Sequence, residues 1–152
     1  MRLLLVCCFM LCSLPALAQT SSFYAFGGVG TATSRFGPSI GLVHVGGGGE
    51  FVAQSGFGGG AELGYLAPWQ NGSNGVGLLS LNGLYRFRGT EVVPFVTGGY
   101  SLSFRSSATS FGNIGGGMTW WRGSRGLRLE LRDNLRDAAN HWIVIRVGIA
   151  FH

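Results

Sequence analysis

The sequence predicts an all-β fold, an eight-stranded antiparallel up-and-down β-barrel that crosses a membrane. Three observations support this fold: hydrophobicity alternates with period two, glycine contributes 28 of the 152 residues, and charged residues make up only 11%. Glycine scattered through the apolar segments opposes long helices. Soluble domains are about one quarter charged, so this chain has too few charges to cover a water-facing surface.

The N-terminus is organised as an export signal. Arg2 precedes an apolar stretch over residues 3–14, and Ala16-Leu17-Ala18 forms a small-x-small cleavage site. The apolar stretch is shorter than the roughly 20 residues that a spanning helix needs. We therefore expect residues 1–18 to be a cleaved signal peptide, with cleavage between Ala18 and Gln19, and residues 19–152 to be the barrel.

All three cysteines, Cys7, Cys8 and Cys12, lie inside this signal. The exported chain would therefore have no thiol for a disulfide, a zinc site or a nucleophile. The net charge of +5 comes from arginine, since the sequence contains no lysine. The arginines do not cluster with aromatic residues, so we expect no nucleic-acid partner.

Eight alternating segments follow, each bounded by Gly, Ser, Asn or Pro. They are predicted at residues 23–33, 42–53, 57–67, 76–87, 92–104, 111–121, 127–134 and 141–151. Tight turns are expected at 54–56, 88–91 and 122–126, and longer connections at 34–41, 68–75, 105–110 and 135–140. This asymmetry is typical of an outer-membrane barrel with both termini in the periplasm.

Alternation alone does not decide whether the apolar face turns to lipid or to a soluble core. Besides the low charge, aromatic residues gather at both ends of the strands, as membrane interfaces favour. The expected turn-side girdle is Tyr24, Phe51, Phe57, Tyr85, Phe87, Trp120 and Phe151. The expected loop-side girdle is Phe36, Tyr65, Trp69, Phe104, Phe111 and Trp142.

The polar face supports the same orientation, because charges of both signs stand among small residues. It carries Glu50, Glu62, Arg86, Arg128, Glu130, Arg132 and Arg146. An eight-stranded barrel is just filled by side chains, so we expect these residues to form a structural network of ion pairs in the interior. The alternative is a switchable gate for ions, but a buried charge without a partner is heavily penalised.

The eight-strand plan, the segment Phe26-Gly27-Gly28-Val29-Gly30 and the final Arg146-Val147-Gly148-Ile149-Ala150-Phe151 resemble the small outer-membrane β-barrel family of OmpA- and OmpX-type domains. The resemblance covers the whole chain after the signal. It implies a C-terminal aromatic that the barrel-assembly machinery recognises. Phe151 matches this position, although His152 follows it.

Some barrels of this kind deacylate or acylate lipid A, so the histidines are candidate catalytic residues. His44 and His141 are expected near the loop end, with Ser39, Ser110 and Asp137 as possible neighbours. No nucleophile elbow and no His-x-Ser-Asn arrangement occurs, and the histidines lack metal-ligand spacing. We expect no catalytic residue, no metal and no cofactor.

The sequence thus predicts a monomeric, non-enzymatic protein of the Gram-negative outer membrane, with a structural or surface-interaction role through short extracellular loops. Its partners would be outer-membrane lipid, lipopolysaccharide and, during insertion, the assembly machinery. Two alternatives stay open. One is a lipid A-modifying barrel enzyme of the deacylase type, and the other is a soluble, lipocalin-like ligand carrier with its apolar face inward.

Overall fold

The computed structural model describes residues 20–34, 37–105, 108–137 and 140–152. For Ser34, Gly37, Arg136 and Asp137 it describes the backbone alone. The predicted signal peptide and its cleavage site at Ala18 and Gln19 lie outside the described residues, as does Phe36. No helix in the described ranges is long and apolar enough to cross a membrane.

The described chain forms a closed barrel of eight antiparallel strands in sequential order. The strands are β1 (Thr20–Ser34), β2 (Gly37–Val52), β3 (Phe57–Pro68), β4 (Val76–Arg86), β5 (Val92–Phe104), β6 (Ala108–Arg122), β7 (Arg125–Asp137) and β8 (Asn140–Phe151). A short 3-10 turn (Gly72–Asn74) lies between β3 and β4. The predicted fold class and all eight strands are confirmed.

The first and last strands close the barrel. Their pairing runs from Phe23 opposite Phe151 to Thr33 opposite His141. The seam has no free edge over this length, so the backbone groups of both strands are satisfied within the sheet. Both ends of the described chain therefore lie at the end of the barrel that carries the β2–β3, β4–β5 and β6–β7 turns, which we call the turn end; the opposite end is the loop end.

The predicted contrast between long loops and short turns is wrong. The strand bounds leave two, three and two residues between strands at three of the loop-end connections, and only residues 69–75 form a longer one. Pairing continues through small polar residues that the sequence pattern assigned to loops, with Ser34 opposite Gly37 and Asp137 opposite Asn140. Ser, Gly and Asn favour turns, but an available partner strand outweighs that preference.

At the turn end, two glycines have positive φ: Gly56 (+91°) after β2 and Gly123 (+63°) after β6. Residues with a Cβ rarely adopt this conformation. The Gly56 N–H donates to the Ala53 carbonyl at 2.9 Å and its own carbonyl accepts from the Arg86 N–H at 2.8 Å. These bonds fix the β2–β3 turn against the end of β4.

Apolar side chains cover the outer face of the barrel, while the largest fully buried side chains include Arg132, Arg146 and Glu130. On β7, Leu127, Leu129 and Leu131 are exposed between buried Arg128, Glu130 and Arg132. The predicted faces of this strand are therefore correct. Polarity is arranged in the reverse of a soluble domain, whose buried residues are mostly apolar.

Several aromatic residues are exposed near the strand ends, as predicted: Phe51, Phe57, Phe87, Trp120 and Phe151 at the turn end, and Tyr65, Trp69 and Phe104 at the loop end. Three assignments are wrong. Tyr24 and Phe111 are buried inside the barrel, and Trp142 packs against an interior cluster. Aromatic residues occur at consecutive positions around Tyr24, so alternation could not decide which ring points inward.

Interior apolar residues fill the loop end of the barrel. Leu42, Leu66, Leu78, Phe111 and Val144 form one buried cluster, with Ala32, Val76 and Trp142 packed against it. The Phe111 and Trp142 rings meet edge to face with centroids 5.3 Å apart. Because these residues come from β2, β3, β4, β6 and β8, the cluster spans the interior from wall to wall.

Glycines in the wall allow neighbouring strands to pack closely, which yields a first prediction. A Cβ at Gly117 would collide with the Leu129 carbonyl oxygen on β7, whereas one at Gly112 on the same strand would meet nothing within 4 Å. We expect Gly117→Val to lower the free energy of unfolding by about 1–3 kcal/mol. Gly112→Val, the matched control, should change it by less than about 0.5 kcal/mol.

Equilibrium unfolding of the purified barrel in urea measures both variants against the unsubstituted protein. Equal stabilities for Gly117→Val and Gly112→Val would contradict the close packing of β6 on β7.

Candidate functional site: the charged interior

The seven charged residues predicted for the polar face all lie inside the barrel. They come from five strands: Glu50 from β2, Glu62 from β3, Arg86 from β4, Arg128, Glu130 and Arg132 from β7, and Arg146 from β8. Alternate positions of β7 point inward, so three charges of one strand enter the same interior. The structure brings all seven residues into one connected network.

The centre of the network is formed by Glu62 and Glu130 with two arginines. Arg146 places Nη1 2.6 Å from Glu62 Oε1 and Nη2 2.7 Å from Glu130 Oε1. Arg132 places Nη2 2.6 Å from Glu130 Oε1 and Nη1 3.9 Å from Glu62 Oε1. Each guanidinium thus bridges both carboxylates, which neutralises charges that are removed from water.

The network extends towards the turn end through Glu50. Glu50 Oε1 accepts from Arg86 Nη2 at 2.7 Å and from Arg128 Nη1 at 2.9 Å. Ser22 Oγ donates to the same carboxylate oxygen at 3.2 Å and accepts from Arg86 at 3.1 Å. Arg128 also lies 3.3 Å from Glu130 and joins the two parts of the network.

Neutral side chains complete the surroundings of these charges. The Tyr24 hydroxyl donates to Glu62 Oε2 at 2.9 Å. Arg128 lies over the Phe95 ring at 3.9 Å and Arg146 over the Phe26 ring at 4.1 Å. Aromatic faces attract guanidinium groups, more strongly where water is excluded.

Interior glycines provide the room for the large charged side chains. A Cβ at Gly115 would lie 3.2 Å from Glu130 Oε1 and 3.3 Å from Arg132 Nε, and one at Gly28 would lie 3.1 Å from Arg146 Cγ. Glycine on one strand therefore lies opposite a charged residue on the next, as Gly115 lies opposite Arg132 and Gly28 opposite Arg146. The interior is filled by side chains at this level, as the narrowness of an eight-stranded barrel requires.

The two candidate catalytic histidines, His44 and His141, lie apart in the structure. His44 is buried on the inner face of β2, edge-on to the Phe26 ring at 4.9 Å between centroids. Neither ring nitrogen of His44 has a hydrogen-bond partner among the described residues. Ser39 and Ser110 are exposed. No described hydroxyl is therefore poised against His44 as a nucleophile would be.

His141 is the second candidate. Its Nδ1 lies 2.8 Å from Asp133 Oδ2, in a half-buried pair of the neighbouring strands β7 and β8 near the loop end. The expected neighbour Asp137 is described by its backbone alone. Asp133 was not predicted as the partner of His141, although the spacing of eight residues across a tight hairpin could have indicated it.

Two further sequence predictions concern the absence of a metal site and the C-terminal assembly signal. Across the described ranges, no three His, Cys, Asp or Glu side chains are grouped as a metal ion would need. Phe151 is the last residue of β8, and 46% of its surface is exposed on the outer face. Recognition of Phe151 by an assembly machinery stays a prediction.

The network yields a second prediction. Arg146→Leu would leave Glu62 and Glu130 with fewer partners in a closed interior, and breaking a buried pair in this way costs about 3–5 kcal/mol. We expect a clear fall in the unfolding temperature in detergent. The control is Arg105→Leu, which removes an exposed arginine that donates to Ser73 O and Asn74 Oδ1 and should cost less than about 1 kcal/mol.

An unchanged unfolding temperature for Arg146→Leu would argue against a stabilising network. A similar fall in the unfolding temperature of both variants would mean that replacing any arginine has this effect, whether or not it belongs to the network.

No family model matches the sequence, and no curated protein matches it. Solved structures do share its fold. Neisserial surface protein A (NspA) superposes with a TM-score of 0.75 at 12% identity, covering 88% of this chain and 98% of that one. The N-terminal β-barrel domain of Pseudomonas aeruginosa OprF superposes with a TM-score of 0.61 at 17% identity, covering 89% of this chain and 97% of that one.

A barrel from work on the de novo design of transmembrane β-barrels is also similar, with a TM-score of 0.58 at 17% identity over 86% of this chain and 93% of that one. At such low identities, the likeness concerns the architecture of the chain. The protein thus has the fold of the small eight-stranded barrels that the OmpA- and OmpX-type resemblance predicted.

Proposed function

We propose that the protein is an integral outer-membrane β-barrel of Gram-negative bacteria, exported by its signal peptide and non-enzymatic. The observation that carries the proposal is the reversed polarity of the barrel. Bulky apolar side chains such as Leu63 (59% exposed), Leu81 (63%) and Ile145 (54%) cover the outer face, while charges fill the interior. Exposed apolar surface on this scale is unfavourable in water and favourable in lipid.

Two further features support a membrane position. Exposed aromatic residues occur near both ends of the barrel, where membrane interfaces select them. The tight backbone closure at β1–β8 leaves the paired strands without an edge, as lipid requires. With both described ends at the turn end, the turns would lie in the periplasm and residues 69–75 would face outside the cell.

The arrangement argues against a soluble ligand carrier. Such a barrel would line its cavity with apolar side chains and expose its charges. Here Arg132, Arg146 and Glu130 are buried, and the apolar cluster around Val144 and Phe111 fills the loop end. The same two features oppose a continuous water-filled pore, so we propose a closed barrel with a structural or surface-interaction role.

The surface role would fall mainly to residues 69–75, the longest connection at the loop end. Trp69 is 66% exposed there. The Tyr65 hydroxyl donates a hydrogen bond to the Gly72 carbonyl at 2.7 Å. Arg105 Nη2 donates to the Ser73 carbonyl and to Asn74 Oδ1. An exposed indole on a connection fixed in this way suits contact with lipopolysaccharide or with a partner outside the cell.

A charged substitution on the outer face tests the membrane position. Ile145 lies near the middle of β8, and an arginine at the midplane of a bilayer costs about 2–4 kcal/mol. A closed barrel that resists SDS migrates differently in a gel before and after boiling. We expect Ile145→Arg to reduce the amount of this heat-modifiable band in the outer-membrane fraction. Ser124→Arg in the β6–β7 turn, the control, should leave that band unchanged.

In a water-soluble barrel, an exposed Ile145→Arg would change stability by less than about 0.5 kcal/mol. A soluble band of normal abundance from this variant, with no heat-dependent mobility, would therefore contradict the proposal.

The second candidate is a lipid A-modifying enzyme, and the His141–Asp133 pair is the observation that favours it. A histidine with a carboxylate partner can act as a general base. Against it, the two candidate histidines lie on different faces and Ser110 is exposed on β6. We expect lipid A to have the same mass with the protein, without it, and with His141→Ala.

Mass spectrometry of lipid A from the three strains measures this. A loss of acyl mass that requires His141 would replace the non-enzymatic proposal with the enzymatic one.

A further inference from the structure

Two adjoining cavities open at the turn end of the barrel. One has a volume of about 560 Å³ and is lined by residues of the β2–β3 and β4–β5 turns. The other has a volume of about 510 Å³ and is lined by residues of the β4–β5 and β6–β7 turns. Thr20 and Arg86 line both cavities. Either cavity is larger than a single ion needs.

The charges of the interior network do not balance. Its described members are four arginines and three glutamates. Glu62 and Glu130 lie between Arg132, Arg146 and Arg128, whose side chains are at most 5% exposed. Arg86 is the fourth arginine, and its side chain is 15% exposed. The surplus positive charge of the network is therefore accessible at Arg86.

Arg86 also has hydrogen-bonding capacity left. Its Nη2 donates to Glu50 and to Ser22. Among the described residues, no partner is found for its Nε or Nη1. A guanidinium carries five N–H donors in a planar fork that matches the oxygens of phosphate and carboxylate groups. Arg86 lines both cavities, so its Nε–H and Nη1–H groups are donors that a bound anion could use.

Two more arginines line the same cavities. Arg88 belongs to the first cavity and Arg122 to the second. Glu91 is the one acidic side chain among the lining residues of either cavity. Glu50 pairs with Arg86 from inside the barrel, but it shares its carboxylate with Arg128. Three guanidinium groups against Glu91 and this shared carboxylate make the turn end attractive to anions, and walls of low dielectric strengthen that attraction.

We propose that the turn-end cavities form a binding site for a phosphate group, with Arg86 as its principal ligand and Arg88 and Arg122 as supporting charges. Phosphate fits because its tetrahedral oxygens accept hydrogen bonds from more than one guanidinium and its charge can exceed one. The site takes either a free phosphate or the phosphodiester of a lipid headgroup. It depends on the interior network and not on which side of a membrane the turns face.

The test is a titration of the folded barrel with inorganic phosphate in an amine-oxide detergent, which itself contains no phosphate. We expect saturable shifts of the Arg86 Nε–H resonance and of the amides of the β2–β3 and β4–β5 turns. Arg86→Gln should weaken binding about tenfold, because it removes a charge-assisted donor. Arg105→Gln, which removes an arginine at the loop end, should leave the affinity unchanged.

Non-saturating shifts, or an equal loss in Arg86→Gln and Arg105→Gln, would overturn the site. Should Arg86→Gln fail to show the heat-dependent gel mobility of a folded barrel, Arg122→Gln takes its place, since Arg122 lies outside the ion-pair network. Binding weakened about threefold in Arg122→Gln supports the site, and an unchanged affinity overturns it.

The source of the phosphate is distinguished by competition with a short-chain phosphatidylglycerol kept below its micelle concentration. Displacement of inorganic phosphate assigns the site to a lipid headgroup. Binding of phosphate without displacement assigns it to a free phosphate.

Discussion

The ion pairs between opposite walls of the barrel are the interaction on which the rest of the structure depends. Glu62 on β3 and Arg146 on β8 meet at 2.6 Å, and Glu50 on β2 meets Arg128 on β7 at 2.9 Å. These contacts connect strands that are not neighbours in the sheet. They need a closed barrel, because only closure brings β7 and β8 across from β2 and β3. A closed interior in turn needs them, because an unpaired charge there is strongly unfavourable.

This mutual dependence accounts for the distribution of side chains along the barrel axis. Charges occupy the middle, where glycines such as Gly115 and Gly28 leave room for them. Apolar residues fill the interior at the loop end, where the cluster around Val144 contains no charged side chain that would need a partner. At the turn end the interior is accessible at Arg86. The barrel is therefore filled at one end and accessible at the other, an asymmetry that the alternation of each strand alone does not reveal.

The number of strands, their approximate positions and the two faces of β7 could be predicted, because period-two alternation is a local property of the chain. The inward placement of Tyr24 and Phe111 could not, because aromatic or small residues flank them and weaken the alternation. Trp142 was assigned to the loop-side girdle although the alternation of β8 puts it on the same face as Val144 and Arg146. The loop ends of β2, β6 and β7 were also missed by several residues, since pairing overrides the turn preference of Ser, Gly and Asp there. The partners within the network could not be derived either: Glu62 and Arg146 are 84 residues apart, and closure decides their meeting.

The architecture by itself specifies no biological role, since this chain shares it with a barrel from de novo design as well as with NspA and the OprF barrel domain, each at 12–17% identity. The distinguishing features of this chain must then lie in side chains that the fold does not require. A network that served stability alone would need no more arginines than its carboxylates can neutralise, and a surplus charge raises the cost of burial. The surplus is placed where that cost is lowest, at the accessible end, with Arg88 and Arg122 beside the same cavities. Each of the two cavities is thus lined by Arg86 and one further arginine, which is the arrangement that the proposed anion site uses.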